Sequence, residues 1–317
     1  MGVENLMLVG EVKSIKELYG LDLIAPGHRA CAGCGALVGV RQILMASKRP
    51  LIVVNATSCL EVTSTPYPQT MWKVPWVHLL FENAATAASG IEAALKVLSR
   101  KYGRQEHYII AFGGDGGTFD IGIQALSGAL ERGHRFLYVC YDNEAYMNTG
   151  IQRSGATPLG AATTTSPVGT KIVGKTQQKK DLLEIVVAHR IPYAATASPS
   201  HWKDLVNKVR KAQSYDGPSF IHLIAPCTRG WYFDTSEAIK VARLAVETRY
   251  WPLYEVENGR YRITHSVPNP KPLEEFLKVQ RRLSHLLLPE NAEVLERLKA
   301  YVNERWERLQ RLSACFA

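Results

Sequence analysis

The chain has 317 residues, enough for one large domain or two small ones. Hydrophobic residues make up 46% and charged residues 21%, which excludes a mainly disordered chain and is typical of a globular protein. The net charge of +9 favours an acidic partner without choosing between a nucleic acid and a protein. Because the sequence shows none of the helix-turn-helix, zinc-finger or RNP signatures, nucleic-acid binding is set aside.

The sequence carries no signal for export or for a membrane. No apolar run approaches the roughly 20 residues of a membrane span. Residues 1–20 carry several charges where a secretory signal would be apolar. We therefore expect a cytoplasmic protein with no membrane contact. In such a chain, metal or redox chemistry is a better expectation for the six cysteines than disulfide bonds.

Predicted helices and strands alternate along the first 225 residues. The strands are near-continuous apolar runs of the kind that are buried on both faces of a sheet. The helices show apolar residues spaced three and four apart. This alternation predicts an α/β fold with a doubly wound, mostly parallel sheet. In chain order the elements are helix 36–46, strand 51–56, helix 84–100, strand 108–112, helix 119–132, strand 136–141, helix 180–189 and strand 220–225.

Two segments depart from this alternation. Residues 146–180 are rich in Thr, Ser and Gly and are too long for a routine connection, which favours a functional loop. From about residue 268 the chain becomes amphipathic and charged, including a helical stretch at 289–312. We therefore divide the chain into an α/β domain, residues 1–267, and a helical C-terminal arm, residues 268–317. We expect the arm to pack on the domain or on a neighbouring chain.

Chemically active side chains follow the predicted strands directly. Cys59, Asp115, Asn143 and Cys227 each lie in a loop after a strand. Open parallel sheets bind ligands at the carboxyl ends of their strands. If the four strands run parallel in one sheet, these loops line a single rim.

The glycine-rich turn that contains Asp115 is a candidate phosphate site. Such a turn, placed between a strand and a helix, offers backbone N–H groups to a phosphate. The aspartate suggests a divalent cation that bridges carboxylate and phosphate. Asn143 follows the next strand, and Asn148 lies in the same loop. Together these residues predict one Mg²⁺ and a diphosphate, although a plain tight turn after a core strand is the alternative.

Four cysteines are candidate metal ligands. Cys31 and Cys34 form a C-x-x-C pair followed by Gly35, and Cys59 and Cys227 are distant singles. Four thiolates on one rim suit zinc or a [4Fe–4S] cluster. The alternative is a redox C-x-x-C pair with two buried bystanders. The other cysteines, Cys140 and Cys315, are expected to be bystanders.

Taken together, these motifs resemble the β subunits of the thiamine-diphosphate-dependent 2-oxoacid:ferredoxin oxidoreductases, the pyruvate synthase group. The resemblance extends from about residue 21 to residue 288, and the combination of motifs is highly specific. The segments that carry it are HRACAGCG (28–35), ATSCLEVTSTPYP (56–68), FENAATAASG (81–90), GGDGGTFDIGIQALSGALERG (113–133), YDNEAYMNTGIQRS (141–154) and APCTRGW (225–231).

The resemblance implies a thiamine-diphosphate-binding fold and a set of site residues. Asp115, the Asn143 side chain and the Ala145 carbonyl are implied Mg²⁺ ligands. Asn148 is the implied catalytic side chain near the thiazolium and the substrate. Further cofactor contacts are expected at Thr57, Cys34, Gly35, Gly114, Gly116 and Gly117. The implied ligands of a [4Fe–4S] cluster are Cys31, Cys34, Cys59 and Cys227.

One departure from the family pattern is visible. Members often have a polar residue directly after the C-x-x-C-G motif, where this chain has Ala36. The departure puts a polar contact from this position in doubt and leaves the cluster ligands unaffected.

The implied activity is oxidative decarboxylation of a 2-oxoacid, with pyruvate first in expectation and electrons passed toward ferredoxin. Oxalate, which would need no coenzyme A, and branched-chain 2-oxoacids are alternative substrates. Two other classes stay open: a non-redox thiamine diphosphate enzyme subunit and a zinc-stabilised structural subunit.

The resemblance also implies a hetero-oligomer. The chain has no C-x₂-C-x₂-C-x₃-C run, so a separate ferredoxin-like chain must carry the further clusters. An α-type chain is expected to complete the active site and to bring the glutamate that activates the aminopyrimidine. The chain alone is therefore expected to be inactive.

Some polar residues carry weaker expectations. Four lysines in the long loop suggest a docking patch for an acidic ferredoxin, although charge runs are more often solvated faces. Other candidates are loop contacts near the cysteine pair and side chains of the active-site wall. The lysines are Lys171, Lys175, Lys179 and Lys180; the loop contacts are His28 and Arg29; the wall residues are His78 and Glu82.

Overall fold

The computed structural model describes residues 10–103 and 107–315, and these ranges form alternating strands and helices around one large sheet. The strands are β1 (Leu51–Ala56), β2 (Trp76–Leu79), β3 (Tyr108–Gly114), β4 (Leu137–Asp142), β5 (Tyr193–Ala197), β6 (Ser219–Ile224), β7 (Leu253–Glu257) and β8 (Arg260–His265). The helices are α1 (Gly35–Ala46), α2 (Cys59–Ser64), α3 (Ala84–Tyr102), α4 (Ile123–Glu131), α5 (Leu182–Val187), α6 (Trp202–Ala212), α7 (Thr228–Trp231), α8 (Ala238–Glu247), α9 (Leu273–Lys278), α10 (Arg281–Ser284) and α11 (Ala292–Ala314).

The eight strands lie in the order β2-β1-β3-β4-β6-β5-β7-β8. The pairs among β1 to β6 are parallel, whereas β7 pairs antiparallel with both β5 and β8. The predicted α/β fold with a mostly parallel sheet is confirmed. Because β1, β3, β4 and β6 are neighbours, the loops that follow them meet at one edge, as the sequence predicts.

The structure corrects several element predictions. It adds β2, β5 and the β7–β8 hairpin, which the sequence analysis did not predict. The helix predicted at 119–132 starts earlier, as a π-helical turn over Gly116–Ile121, before α4 continues it. The helix predicted at 180–189 is limited to Leu182–Val187.

Helices cover both faces of the sheet, which makes it doubly wound. On one face, α1 and α6 pack over buried strand residues such as Val53 and Ile110. On the other, α3, α4 and α5 pack over residues such as Ala111 and Phe220. The strands between these layers are nearly fully buried, which explains why their sequences are continuous apolar runs.

The helices of the predicted C-terminal arm pack against the rest of the chain. Leu298 and Val302 of α11 join a buried cluster with α8 and α9, and Trp306 and Leu309 pack with residues of β7. Within the described residues, no helix combines the length and the apolar character needed to cross a membrane.

Replacing Trp306 with alanine should destabilise the fold. Trp306 is buried and the Arg249 guanidinium lies 4.5 Å from its ring centroid. Truncating a buried tryptophan costs about 3–5 kcal/mol. Denaturant unfolding of the purified chain measures the loss, with the exposed Gln310→Ala on the same helix as a control that should stay within about 0.5 kcal/mol of wild type. Equal stability of the two variants would contradict the packing described for the arm.

Candidate cofactor site

A cavity of about 170 Å³ lies where β1, β3 and β4 end. It brings together most of the residues expected to contact a diphosphate and a metal ion. The predicted residues in its lining are Thr57, Gly114, Asp115, Gly116, Asn143, Ala145 and Asn148.

Three groups that can each offer an oxygen atom converge beside this cavity. The end of the Asn143 side-chain amide lies 2.9 Å from Asp115 Oδ1 and 2.9 Å from the carbonyl oxygen of Ala145, where its nitrogen donates to both. A cation in place of these hydrogen bonds would take the amide oxygen instead, and ligands on adjacent corners of an octahedral Mg²⁺ shell lie about 3 Å apart. The donor set and its spacing therefore fit Mg²⁺.

The buried Asp115 carboxylate has little positive charge near it to compensate its ionised form. It is 1% exposed, and its Oδ2 accepts a hydrogen bond from the Ser154 hydroxyl at 2.6 Å. Burial raises the pKa of Asp115 well above its usual range, and the negative charge of Asp142 raises it further. A divalent cation beside Asp115 would supply the missing charge.

Aromatic side chains form one wall of the cavity. The Tyr146 hydroxyl donates to Asp120 at 2.9 Å, and its ring centroid lies 5.9 Å from that of Phe81. A Cβ atom at Gly116 would lie 2.2 Å from Tyr146 Cε1, so only glycine fits beneath this ring. Gly117 lies outside the lining and packs against Phe81, and its contact with the cofactor stays a prediction.

A second cavity, of about 300 Å³, adjoins the first. It brings together all four cysteines predicted as cluster ligands: Cys31, Cys34, Cys59 and Cys227. Four residues line both cavities: Cys59, Asn143, Met147 and Asn148. The two candidate sites therefore share a wall.

Close backbone packing holds the cysteine loops together. The Gly35 amide donates to the Pro226 carbonyl at 3.1 Å, and a Cβ atom at Gly35 would lie 2.8 Å from Pro226. Gly35 packs closely outside both cavity linings, and its contact with the cofactor stays a prediction. The Thr228 hydroxyl also donates to the Ala32 carbonyl at 3.2 Å, so the loop of Cys227 is fastened to the C-x-x-C turn.

Three thiols of this cavity, those of Cys34, Cys59 and Cys227, are poorly ionised on their own. Burial raises the pKa of the Cys34 thiol to about 11, and burial likewise raises the pKa values of Cys59 and Cys227. Neighbouring thiolates add to the rise. Within the described residues, no three His, Cys, Asp or Glu side chains are grouped to hold a single metal ion. Cys140 and Cys315 lie outside this cavity, and all six cysteines are unpaired.

Comparison with known proteins decides the family. Residues 56–223 match the thiamine pyrophosphate enzyme, C-terminal TPP binding domain family. The chain is 55% identical to pyruvate synthase subunit PorB of Methanocaldococcus jannaschii over 90% of this chain and 95% of that relative. It is 50% identical to ketoisovalerate oxidoreductase subunit VorB of Pyrococcus abyssi over 92% of this chain and 93% of that relative.

The chain belongs to the β subunits of the thiamine-diphosphate-dependent 2-oxoacid:ferredoxin oxidoreductases. A solved 2-oxoglutarate:ferredoxin oxidoreductase from Magnetococcus marinus shares the fold, with a TM-score of 0.54 and 18% identity. The match covers 70% of this chain and 79% of that one. The resemblance stated from the sequence is confirmed, and the two other classes, a non-redox subunit and a structural zinc subunit, are set aside.

The lysine docking patch predicted on this β subunit is wrong. Lys175 is 2% exposed and donates to loop carbonyls, including that of Ser154. Lys179 forms ion pairs with two buried carboxylates, and Lys180 pairs with Asp120 at 2.7 Å. Because two of the four lysines face inward, only Lys171 and Lys180 are left at the surface.

The weaker polar candidates of the β subunit lie outside both cavity linings. His78 Nε2 lies 2.7 Å from the Thr57 hydroxyl and so holds a lining residue. The Arg29 amide donates to the Thr63 carbonyl at 2.8 Å, which is a loop contact.

The sequence analysis missed several residues of the site. Phe81, Tyr141, Tyr146 and Met147 line the first cavity, and Ser154 binds Asp115 from the long loop. Each lies within a segment that carries the family resemblance, so position in these motifs was the available signal.

Proposed function

We propose that this β subunit binds thiamine diphosphate with Mg²⁺ in the first cavity and a [4Fe–4S] cluster in the second, and supports oxidative decarboxylation of pyruvate. The observation that carries the proposal is the shared wall: Cys59 faces both cavities. Bound thiamine diphosphate supplies the decarboxylating chemistry, and an adjoining cluster accepts the electrons. The protein's part is to hold the two groups side by side.

In the first cavity, the Mg²⁺ ligands we propose are one oxygen each from the Asp115 carboxylate, the Asn143 amide and the Ala145 carbonyl. The turn at Gly114 and Gly116 would hold the diphosphate through backbone N–H groups. Asn148 is exposed at the cavity mouth, where its amide can reach a bound substrate. This exposure fits a site that an α-type chain closes.

In the second cavity, the four cysteines are the proposed ligands. They are among the residues that line a space of about 300 Å³, which has room for a four-iron cluster. The positive charge of the iron would stabilise thiolates whose pKa values burial raises. The unpaired thiols also fit a reducing compartment, and we place the enzyme in the cytoplasm.

The active enzyme is proposed to be a hetero-oligomer. An α-type chain completes the active site, and a ferredoxin-like multi-cluster chain carries electrons onward to ferredoxin. The relatives named above are themselves named as subunits, which supports this assembly. Purified alone, the β subunit should show no substrate-dependent turnover, which serves as the control for assays of the complex.

Pyruvate is the proposed substrate because the identity is 55% with a pyruvate synthase subunit. Ketoisovalerate, a branched-chain 2-oxoacid, is the second candidate because of the 50% identity with a ketoisovalerate oxidoreductase subunit. The proposal that oxalate is a substrate rests on the sequence resemblance alone.

The test uses the complex purified without oxygen together with its natural partner chains. Cluster reduction is followed by visible absorbance after addition of pyruvate, ketoisovalerate or oxalate, each with and without coenzyme A. We expect pyruvate to reduce the clusters and coenzyme A to stimulate its turnover strongly. Preferential reduction by ketoisovalerate would transfer the assignment to branched-chain substrates. Reduction by oxalate without coenzyme A would replace it with oxalate oxidation.

A further inference from the structure

Glu144 occupies an unusual place between two proposed metal ligands. It follows Asn143 and precedes Ala145, and it is fully buried. Its φ of 68° lies in the left-handed region, which is unfavourable for a residue with a Cβ atom. The conformation determines how the Ala145 carbonyl and the Asn143 side chain face Asp115. The contacts that hold Glu144 in place therefore determine how the proposed ligands Asn143 and Ala145 are positioned relative to Asp115.

The carboxylate of Glu144 is held by three side chains. Oε1 accepts from Lys179 Nζ at 2.8 Å and from the Tyr250 hydroxyl at 2.7 Å. Oε2 pairs with the guanidinium of Arg282. The backbone of Glu144 is fixed as well, because its carbonyl accepts from the Thr157 hydroxyl at 2.7 Å.

Arg282 comes from the C-terminal arm, 138 residues along the chain from Glu144. It is 3% exposed, and its Nε donates to Gln280 Oε1 at 2.9 Å. Its guanidinium lies 3.9 Å from the Trp231 ring centroid, and Trp231 Nε1 donates to the Asn143 carbonyl at 2.7 Å. Arg282 therefore supports the turn at two points, through Glu144 and through Trp231.

The buried charges around this turn are matched. Asp142 and Glu144 face Lys179 and Arg282, and His222 Nε2 lies 2.7 Å from Asp142 Oδ2. Removing one partner of a buried ion pair leaves a charge without compensation. Without Arg282, moving toward water would lower the free energy of the Glu144 carboxylate. The backbone at Glu144 could then leave its strained left-handed conformation.

We propose that Arg282 is a positioning residue of the metal site, through which the C-terminal arm holds the 142–145 turn in the conformation that binds Mg²⁺. The inference rests on the proposed Mg²⁺ site. It gives the arm a role in cofactor binding without a contact between Arg282 and the cofactor.

The test measures Mn²⁺ binding to the assembled complex by electron paramagnetic resonance, with thiamine diphosphate present. Arg282→Gln should weaken Mn²⁺ binding by about 10-fold or more, the usual effect of losing a residue that orients metal ligands. The control is Arg308→Gln, which removes an arm-to-domain ion pair with Glu184 at the surface. The control should leave Mn²⁺ affinity within about twofold of wild type. Iron content reports the integrity of each complex.

A double variant separates positioning from general stability. Glycine adopts a left-handed conformation without strain and carries no charge. Arg282→Gln combined with Glu144→Gly should therefore restore Mn²⁺ affinity to within about threefold of wild type. If the complex with Arg282→Gln alone does not assemble, the Mn²⁺ affinity of the double variant still tests the inference.

Unchanged Mn²⁺ affinity in Arg282→Gln would overturn the inference, as would an assembled double variant that still binds Mn²⁺ weakly. Failure of the wild-type complex to bind Mn²⁺ would instead contradict the proposed metal site itself.

Discussion

Replacing Asp115 with asparagine should lower the affinity of the assembled complex for Mn²⁺ by about 100-fold or more, because loss of a direct ligand exceeds the 10- to 100-fold cost of losing a supporting residue. Asp115 supplies the only carboxylate among the three proposed Mg²⁺ ligands. Thiamine diphosphate binding and pyruvate turnover should fall with it. Titration with Mn²⁺ followed by electron paramagnetic resonance measures the first effect.

The same substitution should leave the metal-free fold intact or stabilise it. Burial raises the pKa of Asp115, so its ionised form is unfavourable without a cation, and a neutral amide removes that cost. Thermal unfolding in the presence of a chelator checks this sign. Metal binding also competes with protonation of Asp115. Wild-type Mn²⁺ affinity should therefore begin to fall, as the pH is lowered, at a pH above the usual titration range of an aspartate.

Asp120→Asn is the matched control for this prediction. Asp120 lies in the adjoining π-helical turn and accepts hydrogen bonds from Tyr146, Gly155 and Lys180. It is not one of the proposed Mg²⁺ ligands. The Mn²⁺ affinity of the complex that carries Asp120→Asn should stay within about threefold of wild type. An Asp115→Asn complex that binds Mn²⁺ as tightly as this control would contradict the assignment of Asp115.

Replacing Cys59 with alanine should remove one cluster from each β subunit. Iron content should fall by about four atoms per β subunit, since a [4Fe–4S] cluster requires four ligands. Pyruvate-dependent reduction of the remaining clusters should slow by about 10-fold or more, because the proposed adjoining electron acceptor would be lost. Iron analysis and visible absorbance measure the two effects.

Two comparisons make the Cys59 prediction specific. Cys315→Ser changes an exposed thiol at the end of α11 and should keep the full iron content. The Cys59→Ala complex should keep its Mn²⁺ affinity, because the Cys59 thiol is not among the proposed Mg²⁺ ligands. A Cys59→Ala complex with wild-type iron content would show that this cysteine is not a ligand.

The sequence predicted the rim of the site well because local rules decide it. Buried parallel strands are continuous apolar runs, and their following loops meet at one edge. Asp115, Asn143, Cys59 and Cys227 were placed together on this basis, and the structure brings them to two adjoining cavities. The family resemblance, which rests on the same loops, is confirmed by the comparisons.

The strands that the sequence analysis missed have physical reasons. β5 reads YAATA, and alanine has little preference for strands. β2 is an edge strand with exposed residues, so its apolar pattern is weak. The β7–β8 hairpin was overlooked although Asn258-Gly259, both with positive φ, is a strong signal for a two-residue turn.

Long-range charge pairing was beyond prediction from one sequence. Lys179 resembled a surface lysine, yet it is buried between Asp142 and Glu144. Arg282 lies in a segment interpreted only as an arm, and its partner Glu144 is 138 residues away. Local patterns do not encode such pairs, because only the folded chain brings the charges together.

One β subunit is proposed to hold the diphosphate site and a four-iron cluster in adjoining cavities. The most direct measurement is a crystal structure of the anaerobic complex with anomalous diffraction at the iron edge. We expect four-iron density bonded to the Sγ atoms of Cys31, Cys34, Cys59 and Cys227, with a metal-bound diphosphate at Asp115 across the shared wall. A single zinc ion among these cysteines, or a diphosphate bound away from Asp115, would contradict it.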